Sequence, residues 1–233
     1  MKTQKTGWPA TSVLKIMLVT ALLGGAGFYG HQFYERHVRE KEILRQMLAR
    51  FQADSRIAEV LVTDTSFNPV TSQHMTTIKF LEYDAQGRPL NPKYFTFAGN
   101  IIQFQSLVVR FEDRLIASGD EFRGKSLYLF WKAFILDGAQ TQEYVITPVN
   151  SVPQGYKIEG GKNDFEEAVW QEFWDYALLS DKAVKKGIKN AQIEAPGMKF
   201  VPGILYTLKI EHDGGIRIDA SAIPEVLKGE KIL

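Results

Sequence analysis

SLYLFWKAFIL, Ser126–Leu136, is apolar on both of the faces that a strand would present. Leu127, Leu129, Trp131 and Ile135 fall on one side and Tyr128, Phe130, Phe134 and Leu136 on the other. The alternation of a half-exposed strand is therefore missing. Such a strand needs cover on both faces, which predicts a central position in a sheet.

Working outward, the neighbours read as more ordinary strands. On the C-terminal side, Asp137 and Gly138 turn the chain into a strand over Gln142–Pro148. On the N-terminal side, Ala58–Val62 is a short apolar run, and in His74–Tyr83 the set Thr76, Ile78, Phe80 alternates with Thr77, Lys79, Leu81. Residues 85–89, AQGRP, supply turn chemistry before Tyr94–Ala98 and Ile101–Phe111. Gly99 and Asn100 accept positive φ, and predict a hairpin between those two strands. Five or six strands in an antiparallel meander are expected, with both a single open layer and a closed sheet compatible with the pattern. Further on, Ile204, Tyr206, Leu208 and Ile210 form the apolar side of another strand. The turn His212-Asp213-Gly214-Gly215 predicts a hairpin into Ile216–Asp219.

One helix interrupts the strands. Phe165, Val169, Trp170, Phe173, Trp174, Ala177 and Leu178 recur at three and four, behind Asn163 or Asp164 as cap and Glu166 or Glu167 to complete a capping box. Core packing across a sheet face accounts for this stripe, since each ring buries about 150–250 Å². A partner-docking face using Trp170 and Trp174 is the sharper alternative, and it requires exposed rings. The lysine-rich DKAVKKGIKNAQ that follows reads as a solvated helix end, with an anionic lipid or acidic partner as the other use of Lys182, Lys185, Lys186 and Lys189.

The N-terminal quarter sets compartment. Residues 13–34, VLKIMLVTALLGGAGFYGHQFY, predict a transmembrane signal anchor, since about 20 helical residues cross a hydrocarbon core of about 30 Å. Phe33 and Tyr34 would then sit at the interface. Cleavage of a signal peptide near Gly24 and Ala26, giving a secreted form, is the competing reading. Basic residues flank the span on both sides, so charge alone does not orient it; a basic cytoplasmic head over 1–12 is the adopted orientation. Ala21 with Gly25, and Ala26 with Gly30, are small pairs four apart, a spacing that permits helix self-association. Over 35–54 a charged helical stalk follows, with Leu44, Met47, Leu48 and Phe51 as a short seam for a partner or for the domain itself.

The expected fold is therefore α+β: an N-terminal transmembrane helix and helical stalk, then a mainly antiparallel β-sheet domain over 55–233 packed with one long amphipathic helix. The formal net charge is +1, but residues 1–54 carry 8 Lys or Arg against 4 Asp or Glu. The basic excess is juxtamembrane, and the near-neutral domain argues against nucleic acid as partner. With no cysteine, the chain has no disulfide framework, thiolate metal site or cysteine nucleophile. The four histidines are dispersed, and Asp213 before two glycines is a turn residue. Carboxylate pairs Glu112–Asp113 and Asp120–Glu121 lack the surroundings of a calcium loop. No catalytic residues, cofactor or metal site are assigned, and the small-molecule ligand is unknown. The organisation fits a single-pass, membrane-anchored, extracytoplasmic binding or scaffold subunit of a cell-envelope assembly, partnered by protein or by its own copies. An envelope enzyme or small-ligand-binding domain without a recognisable motif is the alternative.

Overall fold

The computed structural model describes residues 23–39, 42, 46, 57–84, 86–111, 126–137, 140–158, 164–178, 188–211 and 215–223. The chain divides into two units, Met1–Leu44 and Arg45–Leu233.

In the first unit, residues 23–39 are helical (α1). Large side chains point outward all around it: Leu23, Phe28, Tyr29, Phe33, Tyr34 and Val38 are each at least half exposed. Neighbouring turns are linked by His31 Nε2 to Glu35 Oε1 at 3.3 Å and by stacking of Phe33 on His37 at 5.6 Å. Among the described residues no helix is long and apolar enough to cross a membrane. Residues 13–22 of the expected span lie outside them.

The second unit is mostly antiparallel β-sheet. Its strands are β1 (Ile57–Asn68), β2 (Gln73–Glu82), β3 (Lys93–Ala98), β4 (Ile101–Phe111), β5 (Ser126–Asp137), β6 (Gln140–Val145), β7 (Ile188–Glu194), β8 (Gly197–Lys199), β9 (Ile204–Ile210) and β10 (Ile216–Ala222). The second helix, α2, spans Asp164–Leu178. Two sheets result, one in the order β10-β9-β1-β2-β3 and one in the order β6-β5-β4-β7, with β8 also on β4. A simple meander was expected; instead, the C-terminal hairpin β9–β10 returns to pair with β1.

Alternation explains the layering. Val60, Ile78, Phe80, Phe95, Phe97 and Leu208 from the first sheet share one core with Ile102, Phe104, Tyr128 and Phe130 from the second. Phe80 sits at the centre, 5.7 Å from Phe104 and 5.5 Å from Phe130. Each such side chain contributes about 1.5–3 kcal/mol of burial free energy, so this core is the main cohesive element. On the far side of the second sheet, Leu107, Val109, Leu127 and Leu129 are also buried. There α2 supplies the cover, with Trp174 6.3 Å from Trp131 and Trp170 5.2 Å from Tyr156. β5 is thus covered on both faces, as its composition requires.

Further sequence expectations are corrected. Gly99-Asn100 does not close a hairpin, because β3 and β4 belong to different sheets. Gly99, at φ +131, and Asn100, whose carbonyl accepts the Phe200 amide at 2.8 Å, carry the chain across instead. Second, β5 contains a bulge. Gln105 faces Lys132 and Ser106 faces Phe130, leaving Trp131 as the extra residue. Parity flips there, so Ala133 and Ile135 join Tyr128 and Phe130 in the core while Leu136 is exposed. The Trp131 carbonyl accepts the amides of both Ile146 and Thr147. The lysine-rich segment read as a helix end runs into β7, which begins at Ile188; residues 179–187 lie outside the described residues.

Candidate functional site

The bulge is also where side-chain chemistry collects. On the outer face of the second sheet, Lys132 Nζ lies 3.1 and 3.0 Å from the two carboxylate oxygens of Glu143 on β6. The same ammonium stands 5.0 Å from the centre of the Trp131 ring. Bulging turns Trp131 toward α2, where its ring meets Trp174 at 55°. Trp174 is itself fixed, donating its indole N–H to the Ser151 carbonyl at 2.9 Å. On β4, Gln103 lies beside Gly197, where an added Cβ would come within 2.6 Å of the Gln103 side chain. Glycine at 197 is what lets β8 approach this closely.

Two polar atoms of the second sheet, Trp131 Nε1 at the bulge and Gln103 Oε1 beside β8, are buried with no hydrogen-bond partner among the described residues. An unpaired buried donor or acceptor costs about 1–3 kcal/mol. The bulge therefore offers an aromatic face, a cation, an anion and one donor. Among the described residues no group of three His, Asp or Glu could hold a metal ion.

Other polar features sit elsewhere in the domain. Tyr83 donates its hydroxyl to Glu59 Oε2 at 2.6 Å, and burial followed by the Glu59 carboxylate pushes the phenol up to about 12. Lys93 points into the seam between the sheets and donates to the Ile146 carbonyl; burial pushes its ammonium down, against the Glu82 charge. Nearby, Gln142 Oε1 accepts the Ala98 amide at 2.8 Å and the Tyr144 hydroxyl donates to the Thr96 carbonyl at 2.7 Å. These bonds lace edge strand β3 to edge strand β6.

Of the residues singled out from sequence, Trp170 and Trp174 are each 1% exposed and lie between α2 and the sheet. The exposed rings that a docking face on this side of α2 requires are not there. On α1, Gly25, Ala26 and Gly30 are helical, and nothing lies within 4 Å of where a Cβ would stand on Gly25 or Gly30. Because successive residues advance by about 100° around a helix, Gly25 and Ala26 face different ways and their two small pairs do not share one face. Ala21, Leu44, Met47, Leu48 and Phe51 lie outside the described residues, as do Glu112, Asp113, Asp120, Glu121 and His212. Trp131 and Lys132 were read only as members of a strand. The one signal available was a Trp-Lys pair in an otherwise apolar run, and a bulge leaves no mark of its own on that pattern.

No family model, curated protein or solved structure matches the chain.

Proposed function

We propose that this protein is a single-pass, membrane-anchored subunit of a cell-envelope assembly, acting by protein–protein contact, with its β-sheet domain on the extracytoplasmic side. The observation that carries the reading is the girdle of exposed large side chains on α1. Phe28, Tyr29, Phe33 and Tyr34 are 60–73% exposed and lie within two turns. They are spread around the helix, so no single packing partner would bury them all. A headgroup layer, which surrounds a helix on every side, does, and aromatic side chains concentrate there. The apolar run Ile16–Leu23 preceding the girdle is consistent with its membrane side. The domain supplies recognition.

Fractionation tests this. Full-length chain should stay in the membrane pellet after a carbonate wash, and a C-terminal tag should be cut by protease added from the extracytoplasmic side. Release by carbonate would overturn the anchor, and protection of the tag would overturn the orientation.

A second reading has one observation in its favour. The buried, unpaired Trp131 Nε1 beside Trp174 of α2 suits a small polar ligand that accepts from it, which would make the domain a ligand binder. A ligand that quenches Trp fluorescence in the wild type and is no longer bound by Trp131→Phe would favour it.

A further inference from the structure

The β1–β2 hairpin reaches beyond the sheet that contains it. β9 pairs with β1 only over Ile57–Leu61, and β3 pairs with β2 only over Met75–Phe80. The last two ladder pairs, Phe67 with His74 and Asn68 with Gln73, therefore stand past the ends of both flanking strands.

This tip is rigid and apolar at once. Asn68 Oδ1 accepts the amides of Val70 at 3.0 Å and Thr71 at 3.4 Å, closing the turn, and Phe67 packs on His74 at 5.2 Å. Ser72 is held at φ +53, a conformation that a non-glycine residue adopts only when its surroundings impose it. Onto this frame the sequence places Val70, 91% exposed, and Phe67, 55% exposed, with Pro69 between them. Turn chemistry favours Asn, Asp, Ser or Gly at such positions. Valine at the most exposed point of the turn answers no local need.

We infer that the β1–β2 tip is the docking element of this domain, seating Val70 and Phe67 in an apolar pocket of a protein partner. The inference rests on the scaffold reading above and names the surface that performs it. Charge argues against a lipid occupant: no Lys or Arg occurs from Ile57 to Ile78, and Asp64 is exposed near the tip, so anionic headgroups find no attraction there. Strand addition by a second copy is opposed by the bulge between Val62 and Asp64, and by that same charge on the β1 edge. An inserted aromatic and aliphatic pair on a pre-formed turn matches the anatomy of an interface hot spot, with little ordering cost on binding.

Photo-crosslinking in native membranes decides the matter. Benzoylphenylalanine is introduced into the full-length chain as Val70→benzoylphenylalanine, and at exposed Gln171 on α2 as a control. The expected result is an adduct with one other polypeptide from position 70, absent from position 171 and lost when Phe67→Ser is added. That polypeptide, identified by mass and purified, should bind full-length Val70→Asp at least about tenfold more weakly than wild type, with unchanged circular dichroism. An adduct with lipid, an adduct with a second copy, no adduct specific to position 70, or binding indifferent to Val70→Asp each overturns the proposal. The two readings fail separately. If Val70→Asp leaves a co-purifying partner in place, the tip is wrong and the scaffold stands; if the chain washes off membranes while the adduct persists, the anchor is wrong and the tip stands.

Discussion

The phenol of Tyr156 donates to the carbonyl of Tyr128 at 2.6 Å and accepts the amide of the same residue at 3.4 Å. β6 pairs with β5 only from Lys132 onward, so the Tyr128 stretch would otherwise be an open edge. A side chain from the 3-10 turn Gln154–Tyr156 closes it, and Thr147 does the same for Phe130 through a 2.7 Å bond to its carbonyl.

Tyr156→Phe keeps the ring, which is fully buried, and removes the oxygen. Leaving buried peptide groups unpaired costs about 1–3 kcal/mol. In a domain of this size that lowers the melting temperature by about 2–4 °C per kcal/mol. Differential scanning calorimetry of the variant against wild type measures it.

Ser106→Ala should act in the opposite direction. Ser106 is fully buried on β4 with no hydrogen-bond partner for its hydroxyl among the described residues. Removing that hydroxyl relieves a desolvation cost, and a gain of about 1 kcal/mol is expected. An unchanged or lower midpoint in urea would show that the oxygen is satisfied in solution, for instance by an internal water.

Gly99→Ala probes the crossing between the sheets. At φ +131 an alanine is strained, although its Cβ would meet only Ile135 at an ordinary 3.7 Å. The expected loss, about 1–3 kcal/mol, is therefore conformational rather than steric. Trimming the neighbour with Ile135→Val should not rescue it.

Tyr83 gives a pH signature. Its phenol is raised to about 12 by burial and by Glu59, so the folded chain holds the proton after the unfolded chain has released it. The stabilisation is complete below about pH 10, the unfolded value, and is lost as pH rises toward the folded value. Glu59→Gln removes the hydrogen-bonded charge but not the burial. Tyrosinate absorbance should then show this phenol titrating lower, between its ordinary range and the wild-type position. No change in that titration would deny the Glu59 contribution.

The strands were legible where one face is buried, as in Thr76, Ile78 and Phe80 or Tyr206, Leu208 and Ile210. There burial writes itself into every second residue. Which sheet a strand joins was not. Gly99-Asn100 has the chemistry of a hairpin, and the same backbone freedom serves a crossing between layers. Trp131 escaped for a related reason, since a bulge changes parity without changing composition. The aromatic stripe of α2 was readable as a stripe, and what it faces followed only from β5 needing cover on its second side. The hairpin tip hid in plain composition: Val70 becomes informative only once its 91% exposure is known.

Because β1 pairs with β9, joining Ala58 to Leu208, the first sheet has no complete form until synthesis has passed β9 and β10. β2 and β3 can form early beside β1, but its other edge waits for β9, which leaves the ribosome only after every strand of the second sheet. Elongation at roughly 5–20 residues per second makes that wait many seconds long. Throughout it the edge of β1 that β9 will cover, and the part of the core that Tyr206 and Leu208 complete, are open to wrong partners. Truncation ahead of Ile204 should therefore give a chain that is degraded or aggregated rather than a smaller folded domain, and a nascent protein that depends on a holding chaperone until β9 and β10 arrive.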